Sequence, residues 1–290
     1  MHIPSSAGNL VGLKVDSHHH FWDLTRFHYD WMPSGESILK RNYTPEDIIP
    51  LLHKSMIDRT VVVQAHESLE EANWILDLAD ENAFIAGVVC WVDLVDPKLC
   101  SVLDDLMARP KFVGIRHGVE HDEDQEWLTR ESSRNGLKEL AARGIPYDVL
   151  IRPHQIKQIP FLADQIPDLK MVIDHISKPS IASGQMEPWA TDITEIAEIP
   201  GIYCKISGMV TEADHNRWRL RDFKPYVDHI MDIFGFDKLM FGSDWPVCLL
   251  ASTYDDVVKV ALGTVGEISV SDRDKLMGQN AIDFYGLNVS

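Results

Sequence analysis

Three consecutive histidines, His18, His19 and His20, follow a short apolar run (Leu10, Val11, Leu13, Val15). The run is too short and interrupted for a helix and predicts a first β-strand. Side chains two apart on a strand share a face, so His18 and His20 point one way and His19 the other. Two imidazoles at that spacing can hold one metal ion or polarise one carbonyl; packed under a loop, they are only a structural pair. Far along the chain, Gly242-Ser243-Asp244-Trp245-Pro246 sets a carboxylate close to a glycine. Alternation puts Met240, Gly242 and Asp244 on one face, and the missing side chain at Gly242 leaves room for a substrate. Asp244 is then either a proton acceptor or a turn acid beside Pro246. The same alternation along Met171, Ile173 and His175 points His175 inward if Ile173 is a core residue.

These residues need a frame that brings the start and end of the chain together. Further β-rich apolar runs begin at Thr60, Ile85, Phe112, Pro146, Leu169, Ile202 and Leu239, 23 to 37 residues apart. With the first strand they make eight. Helical periodicity fills the gaps: Thr44-Pro45-Glu46-Asp47 opens one helix with a cap, a proline and early acids. Ser68 to Asn82 carries Leu69, Ala72, Ile75, Leu76 and Ala79 on one stripe. Nearly continuous apolar strands, each followed by a helix, imply parallel strands covered by helices. Eight such units predict a (β/α)8 TIM barrel, an α/β fold, as a single domain over residues 1–290. A doubly wound open sheet is the alternative, and no G-x-G-x-x-G follows any strand to support it. The segment Asp23 to Arg41, with Phe27, Tyr29 and Trp31, is either a lid or an aromatic patch anchoring a loop.

Barrel enzymes carry their functional groups at the C-terminal ends of the strands. Those positions hold His18 and His20, Gln64 and His66, Trp91 and Asp93, Arg116 and His117, Arg152 and His154, Asp174 and His175, Lys205 and Ser207, and Asp244. Seven of the thirteen histidines fall at these ends, counting His19, which should point outward. A satisfied core histidine explains any one of them but not so many at one rim.

Asp-x-His-x-His on strand one with Gly-x-Asp-Trp-Pro on strand eight resembles the amidohydrolase superfamily. Arg152-Pro153-His154, Asp174-His175-Ile176-Ser177-Lys178-Pro179 and Cys204-Lys205-Ile206-Ser207-Gly208 resemble its sugar lactonase branch, which includes L-fuconolactone and L-rhamnonolactone hydrolases. The resemblance implies hydrolysis of a sugar-derived lactone to the free aldonic acid. Asp244 would serve as general base, while His18, His20 and His175 polarise the carbonyl. It also implies substrate contacts from Arg116, His117, Arg152, His154, His66, Gln64, Trp31 and Trp91. Strand four ends Gly114-Ile115-Arg116-His117, without the lysine that bridges two metals in many superfamily members. One divalent ion, zinc or manganese, is therefore expected on His18, His20 and Asp244, with His154 or His175 as a further ligand; metal-free catalysis stays open. Two alternatives are a hydrolase of carboxylated or sulfonated muconolactone-type lactones and a metal-dependent nonoxidative decarboxylase of an aromatic acid.

Forty-five acidic against twenty-seven basic residues give a formal charge of −18 and a pI near 5.0. That charge opposes binding to nucleic acid or anionic membrane and fits a small-molecule substrate. Four cysteines without C-x-x-C spacing predict free thiols in a reducing compartment. The N-terminus lacks the pattern of a signal peptide, and no long apolar run predicts a membrane span. A cytoplasmic enzyme is expected; a homo-oligomer is allowed.

Overall fold

All eight expected runs form strands in the computed structural model, which describes residues 12–120, 122 and 124–289. Leu10 and Val11, expected in the first strand, lie outside the described residues. The strands are β1 (Val15–His19), β2 (Arg59–Val63), β3 (Ile85–Cys90), β4 (Phe112–Ile115), β5 (Tyr147–Val149), β6 (Met171–Ile173), β7 (Ile202–Ile206) and β8 (Leu239–Phe241). They pair in parallel in sequence order. Helices α1 (Pro45–Ser55), α2 (Leu69–Glu81), α3 (Leu99–Met107), α4 (Glu131–Arg143), α5 (Gln158–Gln165), α6 (Trp189–Ala197), α7 (Leu220–Phe234) and α8 (Tyr254–Val265) alternate with them; α9 (Val270–Asp274) and α10 (Asn280–Tyr285) follow. The fold is a (β/α)8 barrel.

The core has two layers because each strand is covered on both faces. Val15, Val61, Val63, Val89, Val172 and Met240 pack together with Phe284 and Tyr285 near the C-terminus. A larger cluster, including Val62, Val88, Ile173 and Phe241, fills the space between strands and helices.

This layering corrects one expectation. On β6 it is Val172 that joins the inner cluster, while Met171 and Ile173 join the outer one. Strand alternation therefore does not aim His175 inward; the turn after the strand does. Gly242 is corrected too. A Cβ there would lie 2.6 Å from His18 Cβ and 3.1 Å from Ser207 Cβ. The glycine makes room for its neighbouring strands.

The segment from Asp23 to Arg41 is anchored by its aromatic residues. Trp22 Nε1 donates to the Leu39 and Arg41 carbonyls at 3.2 and 2.8 Å. Trp31 Nε1 donates to the Ala65 carbonyl at 2.7 Å and Tyr29 Oη to Glu71 at 3.0 Å. The four cysteines are unpaired, with Cys100 alone exposed. No helix among the described residues is long and apolar enough to cross a membrane.

Because His18 Cβ occupies the space beside Gly242, Gly242→Ala is expected to destabilise the protein by about 1–3 kcal/mol, the usual scale of overpacking. The check is a lower midpoint in urea unfolding with unchanged slope. An unchanged midpoint would show that the contact yields freely.

Candidate functional site

The barrel closes where β1 meets the segment after β8, and the chemistry-bearing residues are the ones that close it. Asp244 N–H donates to the His18 carbonyl at 2.8 Å, and His20 N–H to the Trp245 carbonyl at 2.7 Å. Asp16 braces the junction: its Oδ1 accepts from Ser243 N–H at 2.8 Å and His18 N–H at 3.2 Å, and its Oδ2 from Tyr254 Oη at 2.9 Å. Asp244 itself is left-handed, with φ of 56°, a conformation that persists in a non-glycine residue only when its surroundings hold it.

This arrangement points His20 and Asp244 at each other. His20 Nδ1 stands 2.7 Å from the Val63 carbonyl. A carbonyl only accepts, so Nδ1 donates to it and Nε2 is the atom turned toward Asp244. Nε2 lies 3.4 Å from Asp244 Oδ1. Burial pushes the Asp244 carboxyl up, but His175 and His20 outweigh that and leave it below the ordinary carboxylate range. His19 faces away as expected, packing on Phe21 and Trp245.

His175 arrives by a different route. His175, Ile176, Ser177 and Lys178 are all left-handed, with φ of 54°, 48°, 58° and 50°. Each such residue costs on the order of 1–2 kcal/mol, so the turn needs external support. Trp189 Nε1 donates to the Ile176 carbonyl at 2.7 Å, and His175 Nδ1 meets Ser207 Oγ at 2.8 Å. Gly208 lies so close that a Cβ there would come within 2.6 Å of His175 Nδ1. His175 Nε2 ends 3.9 Å from Asp244 Oδ1. Burial lowers its imidazolium to about 4, so it is neutral near pH 7.

Beneath these groups lies a buried set of paired charges. Lys205 Nζ donates to Asp148 Oδ2 at 2.5 Å, stands 3.0 Å from Asp174 Oδ1 and 3.1 Å from His18 Nδ1. Arg116 Nη1 lies 3.3 Å from both Asp174 Oδ2 and His18 Nε2, and Nη2 donates to the Gln64 carbonyl at 2.5 Å. Tyr285 Oη lies 2.8 and 2.9 Å from the two Asp148 oxygens. Two carboxylates balance two cations, which is the condition for keeping charges buried. Burial raises the Asp174 carboxyl, but Lys205, His18 and Arg116 together hold it well below the ordinary range. Burial lowers His18 as well, leaving it neutral.

His18, His20 and Asp244 bring ligand atoms within 4.8 Å of one another, as do His18, Asp174 and His175. The first set fits a divalent ion. An imidazole nitrogen and a carboxylate oxygen that face each other can share a cation between them. Their 3.4 Å separation matches the roughly 3.3 Å between two ligands of a tetrahedral ion with bonds of about 2.0–2.1 Å. His18 is the weakest donor, since Arg116 Nη1 already covers its Nε2.

The amidohydrolase family model matches residues 15–287. The chain belongs to the amidohydrolase family. An L-fucono-1,5-lactonase from Burkholderia ambifaria is 36% identical, covering 84% of this chain and 83% of that one. Another from Burkholderia multivorans is 34% identical, covering 95% and 96%. The crystal structure of an amidohydrolase from Burkholderia multivorans with bound zinc is 33% identical; it covers 95% of this chain and all of that one, with a TM-score of 0.88.

In this amidohydrolase the other residues expected at the site divide into groups. Arg116 turns into the interior, where its guanidinium meets Asp174, His18 and the Gln64 carbonyl. His154 sits in an outward 3-10 turn (Pro153–Gln155), 2.6 Å from Gln125 Oε1, and joins neither ligand set. His117 is stacked on Trp127 and Trp91, and His66 packs near Phe27 and Tyr29. Trp31 stays partly exposed, Gln64 is buried, and Arg152 reaches Glu120 and Glu212. Asp16, Asp148, Lys178, Glu120 and Glu212 were not singled out. Asp16 and Lys178 lie within the motif stretches, whereas Glu212 sits in an aperiodic turn with no sequence signal.

Both ligand sets share His18, so zinc titrated into metal-stripped protein should saturate at a single equivalent per chain. His20→Asn should weaken binding at least about tenfold, since loss of groups that merely orient ligands already costs about 10–100-fold. Calorimetry measures both; two tight equivalents, or an unchanged affinity, would contradict the assignment.

Proposed function

We propose that this amidohydrolase is a lactonase that opens an uncharged, polyhydroxylated sugar lactone of the L-fuconolactone or L-rhamnonolactone type to its aldonic acid. The observation that carries it is an ionised Asp244 facing His20 and His175 at one buried point of the mouth. The two L-fucono-1,5-lactonases, similar over most of the chain, support the same reading.

A lactone is a cyclic ester. Water adds to its carbonyl carbon, and Asp244 accepts the proton that the water gives up. The carbon–oxygen bond to the ring then breaks, and Asp244 returns that proton to the departing ring oxygen. General acid–base help of this kind is worth about 10²–10⁴-fold. Neutral His175 donates to the carbonyl oxygen as charge builds there, its Nδ1 held by Ser207. Arg116, Lys205 and Asp174 fix the position of His18 and keep the floor of the site dry and charge-balanced. A divalent ion on His20, Asp244 and His18, which we take to be zinc, would supply Lewis-acid polarisation of the carbonyl.

The pairing of the arginines favours a neutral lactone over a dicarboxylated one. Recognition of a dicarboxylate needs converging free guanidinium groups. Here Arg116 is turned inward, and Arg152 is engaged by Glu120 and Glu212.

Asp244→Asn keeps size and hydrogen bonding but cannot accept the proton. Its kcat on an aldonolactone should fall about 10²-fold or more, with circular dichroism unchanged. A folded variant retaining more than about a tenth of the activity would place the barrier change under ~1.4 kcal/mol, and the base would then be another residue.

A further inference from the structure

Four charged side chains ring the mouth, one from each of four consecutive strand ends. Glu120 follows β4, Arg152 follows β5, Lys178 ends the left-handed turn after β6, and Glu212 ends the 3-10 turn Val210–Glu212 after β7. Arg152 Nε stands 3.1 Å from Glu120 and its Nη1 3.2 Å from Glu212, while Lys178 Nζ stands 2.6 Å from Glu120. Two acids and two bases leave the ring without net formal charge.

Glu212 lies beside the chemistry. Its turn packs on the 3-10 turn Val247–Leu250 that follows Asp244, and its carboxylate is within electrostatic reach of Asp244 and Lys178. Burial holds that carboxyl above the ordinary range, with Arg152 and Lys178 opposing. Arg152 Nη1 approaches both of its oxygens, at 3.4 and 3.2 Å. A carboxylate has about four acceptor sites in all, so capacity remains. That capacity matters because ring hydroxyls are donors, and lysine and arginine have no acceptor to receive them.

Resting on the lactonase reading, we propose that Glu212 is a specificity-determining residue. It accepts hydrogen bonds from the ring hydroxyls of the lactone. A Glu212 that merely held Arg152 in place would affect all lactones alike. A Glu212 that binds hydroxyls distinguishes those that have them.

The test compares the intact enzyme with Glu212→Gln on two substrates, a six-membered aldonolactone and unsubstituted δ-valerolactone. For the aldonolactone, kcat/KM should fall at least about tenfold, mostly through KM, the scale of a hydrogen bond to a charged group. For δ-valerolactone it should stay within about twofold. Equal losses on both, or no loss on either, overturn the assignment while leaving the lactonase reading intact. A folded wild-type enzyme that opens neither lactone overturns the reading beneath it. If Glu212→Gln does not fold, Glu212→Asp keeps the charge, withdraws it by one methylene and is held to the same split.

Discussion

Everything in this protein depends on how the barrel is closed. The strands from β1 to β8 pair in order through parallel ladders, but β1 and β8 are joined by a few backbone hydrogen bonds, among them Asp244 N–H to the His18 carbonyl and His20 N–H to the Trp245 carbonyl. Asp16 fixes that junction from behind with three accepted hydrogen bonds. The residues that complete the cylinder are thus also the ones that aim His20 at Asp244. Gly242 belongs to the same constraint, because only a residue without a side chain lets the strands approach so closely. Fold and site are one construction at this point.

Beneath the junction, the paired charges of Asp148, Asp174, Lys205 and Arg116 do more than fill the barrel. Buried ion pairs seldom add stability over an apolar core, and their effect here is orientation. They surround His18 on both ring nitrogens, and burial keeps His18 and His175 neutral. The remaining carboxylate, Asp244, is buried above them with His20 and His175 beside it.

The barrel was legible in the sequence because strands buried on both faces are continuous apolar runs of distinctive spacing. That same continuity hid their orientation: in Met171-Val172-Ile173 every residue is apolar, so alternation could not tell which faced the axis. The seam residues His18, His20 and Asp244 were legible as motif members. The direction of Arg116 was not, since it is decided by Asp174 and Lys205 from other strands. The exposure of His154 was not legible either, because it is set by the turn at Pro153. Glu212 left no trace, for a short 3-10 turn has no period to read.

The left-handed turn from His175 to Lys178 has one more implication. It hands the His175 imidazole inward from its first residue and the Lys178 cation outward from its last, so a single backbone path sets both. A glycine at Ile176 or Ser177 would adopt that path without strain. It would also loosen the angle between the two ends. Thermal robustness and chemical aim therefore pull this segment in opposite directions, and selection for heat resistance alone would be expected to blunt the enzyme here first.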